Sequence, residues 1–217
     1  VQEDIIRKCD FLRELNKKLE INIVELKECY KIEYECFIKN NFNKEEKEIK
    51  TLGEVCNLKN GTNITKDKLI TGKYPVIGGG QIPLGLHNDY NVIENTIIIS
   101  KDGSYAGFIS KYNSKAFITN HGIYIDKIND KILKDYIYYY LKSNQNELYK
   151  LQSGAGQPGI KKEQLEEIKI PIPSLEVQER FIKFCENKDS NQYNIHIKII
   201  ENTIENNKIL MKKLFDF

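Results

Sequence analysis

The sequence predicts an α+β chain: a mostly-β domain flanked by two long helices that pair antiparallel, in the manner of a coiled coil. Three observations predict it. Apolar residues recur three or four apart near both ends of the chain. The stretch between is cut by glycines into short apolar or alternating runs. Each terminal apolar stripe is also longer than one small domain can cover alone. The predicted boundaries are 1–48 for the first helix, 49–174 for the β-rich domain and 175–217 for the second helix.

The first helix rests on Ile5, Ile6, Cys9, Leu12, Leu15, Leu19, Ile23, Leu26, Tyr30 and Phe37, with no glycine or proline to interrupt them. Asn40, Asn41 and Asn43 mark its end. Within the middle domain, residues 74–77, 96–100 and 122–125 read as strands. Turns at Gly53, Gly61, Gly72, Gly78 to Gly80, Gly85, Gly103 and Gly107 separate them. One helix interrupts this pattern at about 131–152, with Leu133, Ile137, Tyr140, Leu141 and Leu148 on its buried side. Ile170 and Ile172 alternate with Pro171 and Pro173 as an edge segment, because proline cannot donate to a central ladder. Ser174 then caps a helix that carries Glu176 and Glu179 in its first turns. Its stripe continues through Phe181, Ile182, Cys185, Ile195, Ile199, Ile200, Ile204, Ile209, Leu210 and Leu214, loosened at 188–192.

Composition narrows the class of protein. The chain has 217 residues, of which 40% are apolar, enough for a real core. No run of about 18 apolar residues occurs and five of the first ten residues are charged, so neither a membrane span nor a secretory signal is expected and the expected location is cytoplasmic. The five cysteines are scattered without a CxxC pair, which reads as reduced thiols and argues against a disulfide framework or a zinc site. The net charge of +2 is unevenly distributed: residues 49–174 hold 16 Lys/Arg against 12 Asp/Glu, whereas the rest of the chain has no positive excess.

The two ends also resemble each other at a spacing of 176 residues, where Ile6, Cys9, Ile21, Ile23 and Glu25 recur as Ile182, Cys185, Ile197, Ile199 and Glu201. If the likeness reflects duplication, the repeating unit is one globular module followed by one helix.

No enzymatic constellation emerges. The Asn/Asp-Pro-Pro-aromatic loop of adenine methyltransferases is absent, and Gly78 to Gly80 are not followed by the GK[ST] of a phosphate-binding loop. His87, His121 and His196 are too dispersed for a metal cluster. His121 beside Asn120 and Ser100 or Ser104 is the nearest approach to a hydrolytic site, but Ser104 lacks a nucleophile elbow. Asp102 before Gly103 reads as a turn residue.

Three patches carry a family resemblance. Residues 52–55, LGEV, with Lys59, Asn60 and Gly61, resemble the opening of a target-recognition domain in the specificity subunit of type I restriction-modification enzymes. Residues 96–107, TIIISKDGSYAG, resemble its central strand and Gly-Ser loop. Residues 153–178, SGAGQPGIKKEQLEEIKIPIPSLEVQ, resemble its closing segment and are the most specific of the three. The patches lie in the family's order, and with the helices the resemblance covers nearly the whole chain. Ile49 or Thr51 stands where an aromatic residue often precedes the first patch.

The resemblance implies a subunit with two recognition domains, each followed by a long helix, the two helices packed as an antiparallel spacer. One recognition domain and two helices make this chain either the second half of such a subunit with its central helix, or a half-subunit that works as a homodimer. By the same resemblance the protein performs no bond chemistry and needs no cofactor or metal. It reads one half of a split target in double-stranded DNA. It also holds adenine methyltransferase subunits and, through them, translocating restriction subunits. Two alternatives stay open: the recognition half of a fused restriction-methylation enzyme, and a coiled-coil assembly protein whose middle domain binds RNA or protein.

DNA reading needs phosphate anchors and base-edge readers on loops held by a rigid scaffold. The phosphate candidates are Lys59, Lys73, Lys101, Lys111, Lys115 and Lys161. The candidates for base edges or sugars are Gln81, Ser104, Tyr105, Asn120 and Gln157. All three arginines, Arg7, Arg13 and Arg180, lie in the helices, so the bidentate arginine–guanine contact is not available to the middle domain.

Overall fold

A computed structural model describes residues 2–42, 48–65, 72–154, 156, 158–190 and 193–215. The chain divides into a helical unit, Val1–Lys44 with Lys183–Phe217, and a globular unit, Glu45–Ile182. No described helix is long and apolar enough to cross a membrane.

In the helical unit, α1 (Gln2–Phe42) is one unbroken helix, about 60 Å long at 1.5 Å per residue. The predicted asparagine stop is partly visible, since Asn41 Nδ2 donates to the Phe37 carbonyl at 2.9 Å; Asn43 lies outside the described residues. The chain returns as α6 (Leu175–Ser190), which begins in the globular unit, and α7 (Tyr193–Phe215). The second long helix is therefore two consecutive helices. Of the loosening expected at 188–192, residues 188–190 are helical and 191–192 lie outside the described residues.

The helices run antiparallel. Phe37 stacks on Phe184 with ring centroids 4.7 Å apart, Asn16 Oδ1 accepts from Asn207 Nδ2 at 2.8 Å, and Phe11 and Leu12 line one groove with Leu210 and Leu214. Low numbers on α1 thus meet high numbers on the return. On α1 the seam positions include Ile5, Cys9, Leu12, Asn16, Leu19, Ile23, Leu26 and Tyr30, and on α7 they include Ile197, Ile200, Ile204, Asn207, Met211 and Leu214, with Leu15 and Thr203 half-buried beside them. Steps of three and four alternate along both, which is the seam of a coiled coil. The predicted stripe was broader. Ile6, Ile195, Ile199, Ile209 and Leu210 are each about half exposed, because one partner helix covers only a narrow strip of a wide apolar face.

Among the described residues, the globular unit contains three sheets. β1 (Glu48–Thr51) pairs antiparallel with β9 (Lys169–Ile172), closing the unit on itself. This places Ile170, Pro171 and Ile172 in a two-stranded ribbon, where a missing N–H is tolerated, with Pro173 just beyond it. Between them, α2 (Leu52–Val55) starts on a capping box. Thr51 N–H donates to Glu54 Oε2 and Glu54 N–H donates to Thr51 Oγ1. The Thr51 N–H, and after it the Thr51 side chain, hold the Glu54 carboxyl below its usual range.

Four antiparallel strands form the main sheet in the order β2 (Cys56–Asn60), β8 (Gly122–Ile128), β5 (Ile97–Ser100) and β6 (Ile109–Lys111). A second sheet orders β4 (Gly85–His87), β3 (Tyr74–Ile77) and β7 (Phe117–Ile118), with β3 and β7 parallel. Every residue of β5 is buried, as expected of a strand covered on both faces. On one face Ile98 joins Ile77, Val92, Ala116 and Ile118 in a cluster that bridges the two sheets.

The helix expected at 131–152 is two helices, α3 (Lys134–Ser143) and α4 (Gln145–Tyr149), hinged at Asn144. Ile137, Leu141 and Leu148 are buried as predicted. Leu133 is instead the half-buried residue that precedes α3, and Tyr136 fills the core and donates its hydroxyl to the Pro171 carbonyl. Last come α5 (Lys162–Glu166), β9, and Ser174, whose Oγ caps α6 by accepting from Val177 N–H at 3.4 Å.

Candidate nucleic-acid interface

The site forms where four connections meet at one rim of the globular unit. The β5–β6 loop, residues 101–108, turns through Gly103 (φ 87°) and Gly107 (φ 91°), a backbone conformation that suits glycine. Its strand ends are closed by Gly107 N–H to Ser100 O at 2.7 Å and Ser100 N–H to Phe108 O at 2.9 Å. Two glutamines brace it from behind. Gln145 Nε2 donates to Gly107 O at 2.6 Å while its Oε1 accepts from Ile109 N–H, and Gln152 Nε2 donates to Ala106 O at 2.8 Å.

Against that loop lie the other three. The β7–β8 turn joins the two larger sheets and meets Lys101, whose N–H donates to His121 O at 2.8 Å. The segment that follows α4 returns the contact. Gly103 N–H donates to Pro158 O and Ile160 N–H to Lys101 O, both at 2.8 Å, and Asp102 bridges Gly159. The β3–β4 loop approaches through Gly79, where a Cβ would stand 2.3 Å from the Asp102 carbonyl oxygen. Only glycine permits that approach.

Lys101, Ser104, Tyr105, Asn120 and Lys161 are thereby brought to one place, with Gln81 on the tip of the β3–β4 loop two residues past Gly79. Gln81, Ser104, Tyr105 and Lys161 are exposed; Lys101 and Asn120 are half-buried. Gln157 lies outside the described residues. The other candidates stand apart or are already engaged. Lys59 on β2 is paired with Asp126 at 2.8 Å, and Lys73 sits beyond the far end of β3 with its ammonium 5.6 Å from the Tyr74 ring centre. Lys111 is largely covered, 2.6 Å from Asp135 and 4.4 Å above the Tyr138 ring. Lys115 lies 3.0 Å from the Tyr90 hydroxyl and 4.2 Å above its ring. Sequence reasoning missed Gln145, Gln152 and the pairing of Asp102 with His121, whose Nδ1 lies 2.9 Å from Asp102 Oδ2. Those partners are 19 residues apart with no periodic relation.

The opening and closing patches also meet, through the β1–β9 ladder, Leu52 N–H to Ile168 O at 2.8 Å, and the close approach of Gly53 to Glu166. A model of the type I restriction modification DNA specificity domain matches residues 44–206. The chain belongs to that family. The specificity-domain match covers the whole globular unit and runs into α7.

Among curated relatives, the chain is similar to the type I restriction enzyme MjaVIII specificity subunit of Methanocaldococcus jannaschii, with 32% identity over 160 residues, 69% of this chain and 36% of that protein. It is also similar to the type I restriction enzyme EcoprrI specificity subunit of Escherichia coli, with 26% identity over 59% of this chain and 32% of that protein. The chain thus spans about a third of these relatives. A solved HsdS subunit from Thermoanaerobacter tengcongensis shares the fold at a TM-score of 0.60 and 19% identity, covering 99% of this chain and 57% of that one. A type I S subunit from M. genitalium shares it at a TM-score of 0.61 and 24% identity, over 67% of this chain and 39% of that one.

Among the described residues, no group of three or more His, Cys, Asp or Glu is arranged to hold a metal ion. What the rim offers is donors and acceptors on braced loops, the arrangement suited to recognition.

Proposed function

We propose that this chain is the DNA-reading part of a type I restriction-modification specificity subunit, acting in the cytoplasm without bond chemistry of its own. The globular unit reads one half of a bipartite duplex target. The observation that carries the reading is the convergence of Lys101, Ser104, Tyr105, Asn120 and Lys161, from three separate connections, on one rim braced by main-chain bonds and by Gln145 and Gln152. Lys101 and Lys161 anchor phosphates; Gln81, Ser104, Tyr105, Asn120 and Gln157 read base edges or sugars. Lys59 and Lys111, already paired with carboxylates, and the distant Lys73 stand outside this set.

The antiparallel helices act as a spacer toward a second recognition domain, in the same native chain or in a homodimer. Their exposed apolar residues, such as Phe11, Val24, Ile195 and Ile199, support docking of adenine methyltransferase subunits, which in turn bring restriction subunits. The test is selection of the purified chain against a pool of randomised duplex DNA at moderate salt, with competition by unrelated duplex. A short enriched motif is the expected result. Equal competition by every duplex, or a preference for RNA, would sink the proposal.

A further inference from the structure

The β7–β8 turn holds a side chain outside the proposed set of readers. His121 Nδ1 faces the Asp102 carboxylate at 2.9 Å. A carboxylate can only accept, so the neutral imidazole carries its proton on Nδ1 and leaves Nε2 as a bare acceptor. The ring is half exposed. Among the described residues Nε2 has no hydrogen-bond partner, and the half-exposed side chain leaves it available to a ligand.

The pair is held firmly. The His121 carbonyl accepts from Lys101 N–H, Asp102 bridges Gly159, and Gly79 abuts the Asp102 carbonyl. A fixed acceptor therefore stands on the same rim as the loops that carry Lys101 and Lys161, whose ammonium groups can only donate. In the major groove an acceptor matches the exocyclic amine of cytosine or adenine and opposes the O6 and O4 acceptors of guanine and thymine.

We propose that His121, positioned by Asp102, is a sequence-reading residue that accepts a hydrogen bond from the exocyclic amine of a cytosine or adenine in the half-site. The inference rests on the DNA reading above. Randomised duplex DNA is selected in parallel with the wild-type chain and with His121→Ala, Asp102→Ala and Asp102→Asn, and each protein's melting temperature is recorded. His121→Ala should lose preference at one cytosine or adenine position by about tenfold, the scale of a single mismatch, with the other positions and the melting temperature unchanged. The base restricted at that position in the wild-type motif identifies which amine is read. Asp102→Ala should weaken the same position, whereas Asp102→Asn, whose amide oxygen still accepts from Nδ1–H, should restore it. If His121→Ala leaves the motif intact, or lowers binding to all duplexes together with the melting temperature, the pair is only a brace; the inference then fails while the DNA reading stands. A wild-type chain that enriches nothing overturns both.

Discussion

At the scale of single residues, the lysines differ in what their ammonium groups already do. Lys161 is exposed and Lys101 half-buried on the loop rim, so alanine at either should leave the melting temperature nearly unchanged. Each replacement should reduce the log–log salt slope of DNA binding by about one unit, and an unchanged slope and affinity would remove that lysine from the interface. Lys111→Ala should behave in the opposite way. It strips the ammonium partner from the Asp135 carboxylate and a cation from the Tyr138 face, costing about 1–2 kcal/mol of stability while leaving the salt slope alone. A melting curve beside a salt titration separates the two kinds of lysine. Nothing in the sequence distinguishes them, because what engages Lys111 comes from α3, 24 residues away. The cysteines sort in the same manner. Cys29 and Cys36 are exposed, whereas Cys9, Cys56 and Cys185 are buried and burial pushes the Cys56 thiol up to about 12. A thiol reagent at neutral pH should modify Cys29 and Cys36 quickly and the other three only on unfolding. Rapid modification of all five in the native protein would contradict the packing.

At the scale of elements, the helices were more legible than the domain between them. A three-and-four spacing is written locally and survives folding, so the stripe from Ile5 to Tyr30 could be read directly. The seam's polar layer could not be, since Asn16 and Asn207 acquire meaning only once the register is known. That pair yields a prediction. Asn16→Ala leaves the Asn207 amide facing an apolar seam and should cost about 1–2 kcal/mol, as should Asn207→Ala. Replacing both by leucine should match or exceed wild-type stability, because an apolar pair leaves no unsatisfied group, although register is then less strictly specified. Thermal unfolding of the wild type, the two alanine variants and the double alanine variant gives the coupling energy, and simple additivity would show that the amides do not depend on each other. In the globular unit the strands at 74–77 and 96–100 were visible as apolar runs. The convergence of loops was not, because it is made by main-chain bonds such as Lys101 to His121 and Gly103 to Pro158, which leave only glycines as a trace. Gly79 is such a trace. Gly79→Ala must separate the β3–β4 and β5–β6 loops and should weaken binding to every duplex without altering the helical unit. Undiminished affinity would show that the two loops need not touch.

At the scale of the whole molecule, the surface proposed to read DNA belongs to one region of the chain. The positive excess lies in residues 49–174, and the side chains brought together at the rim all belong to the unit Glu45–Ile182. The helical unit instead contributes length, about 60 Å along α1. A single reading surface can contact only one contiguous run of base pairs, since the groove it follows turns away within a helical repeat. The chain should therefore select one short uninterrupted motif as a monomer. If it pairs as a homodimer, the same motif should appear twice in inverted orientation, because a twofold axis relates identical readers. The interval between the copies would then be set by the paired helices, and lengthening both by whole heptads should lengthen it. Selection from randomised duplex DNA, with the oligomeric state measured by light scattering under the same conditions, checks both cases. Two separated motifs of unlike sequence from this chain alone would require a second reading surface and would defeat the one-domain account.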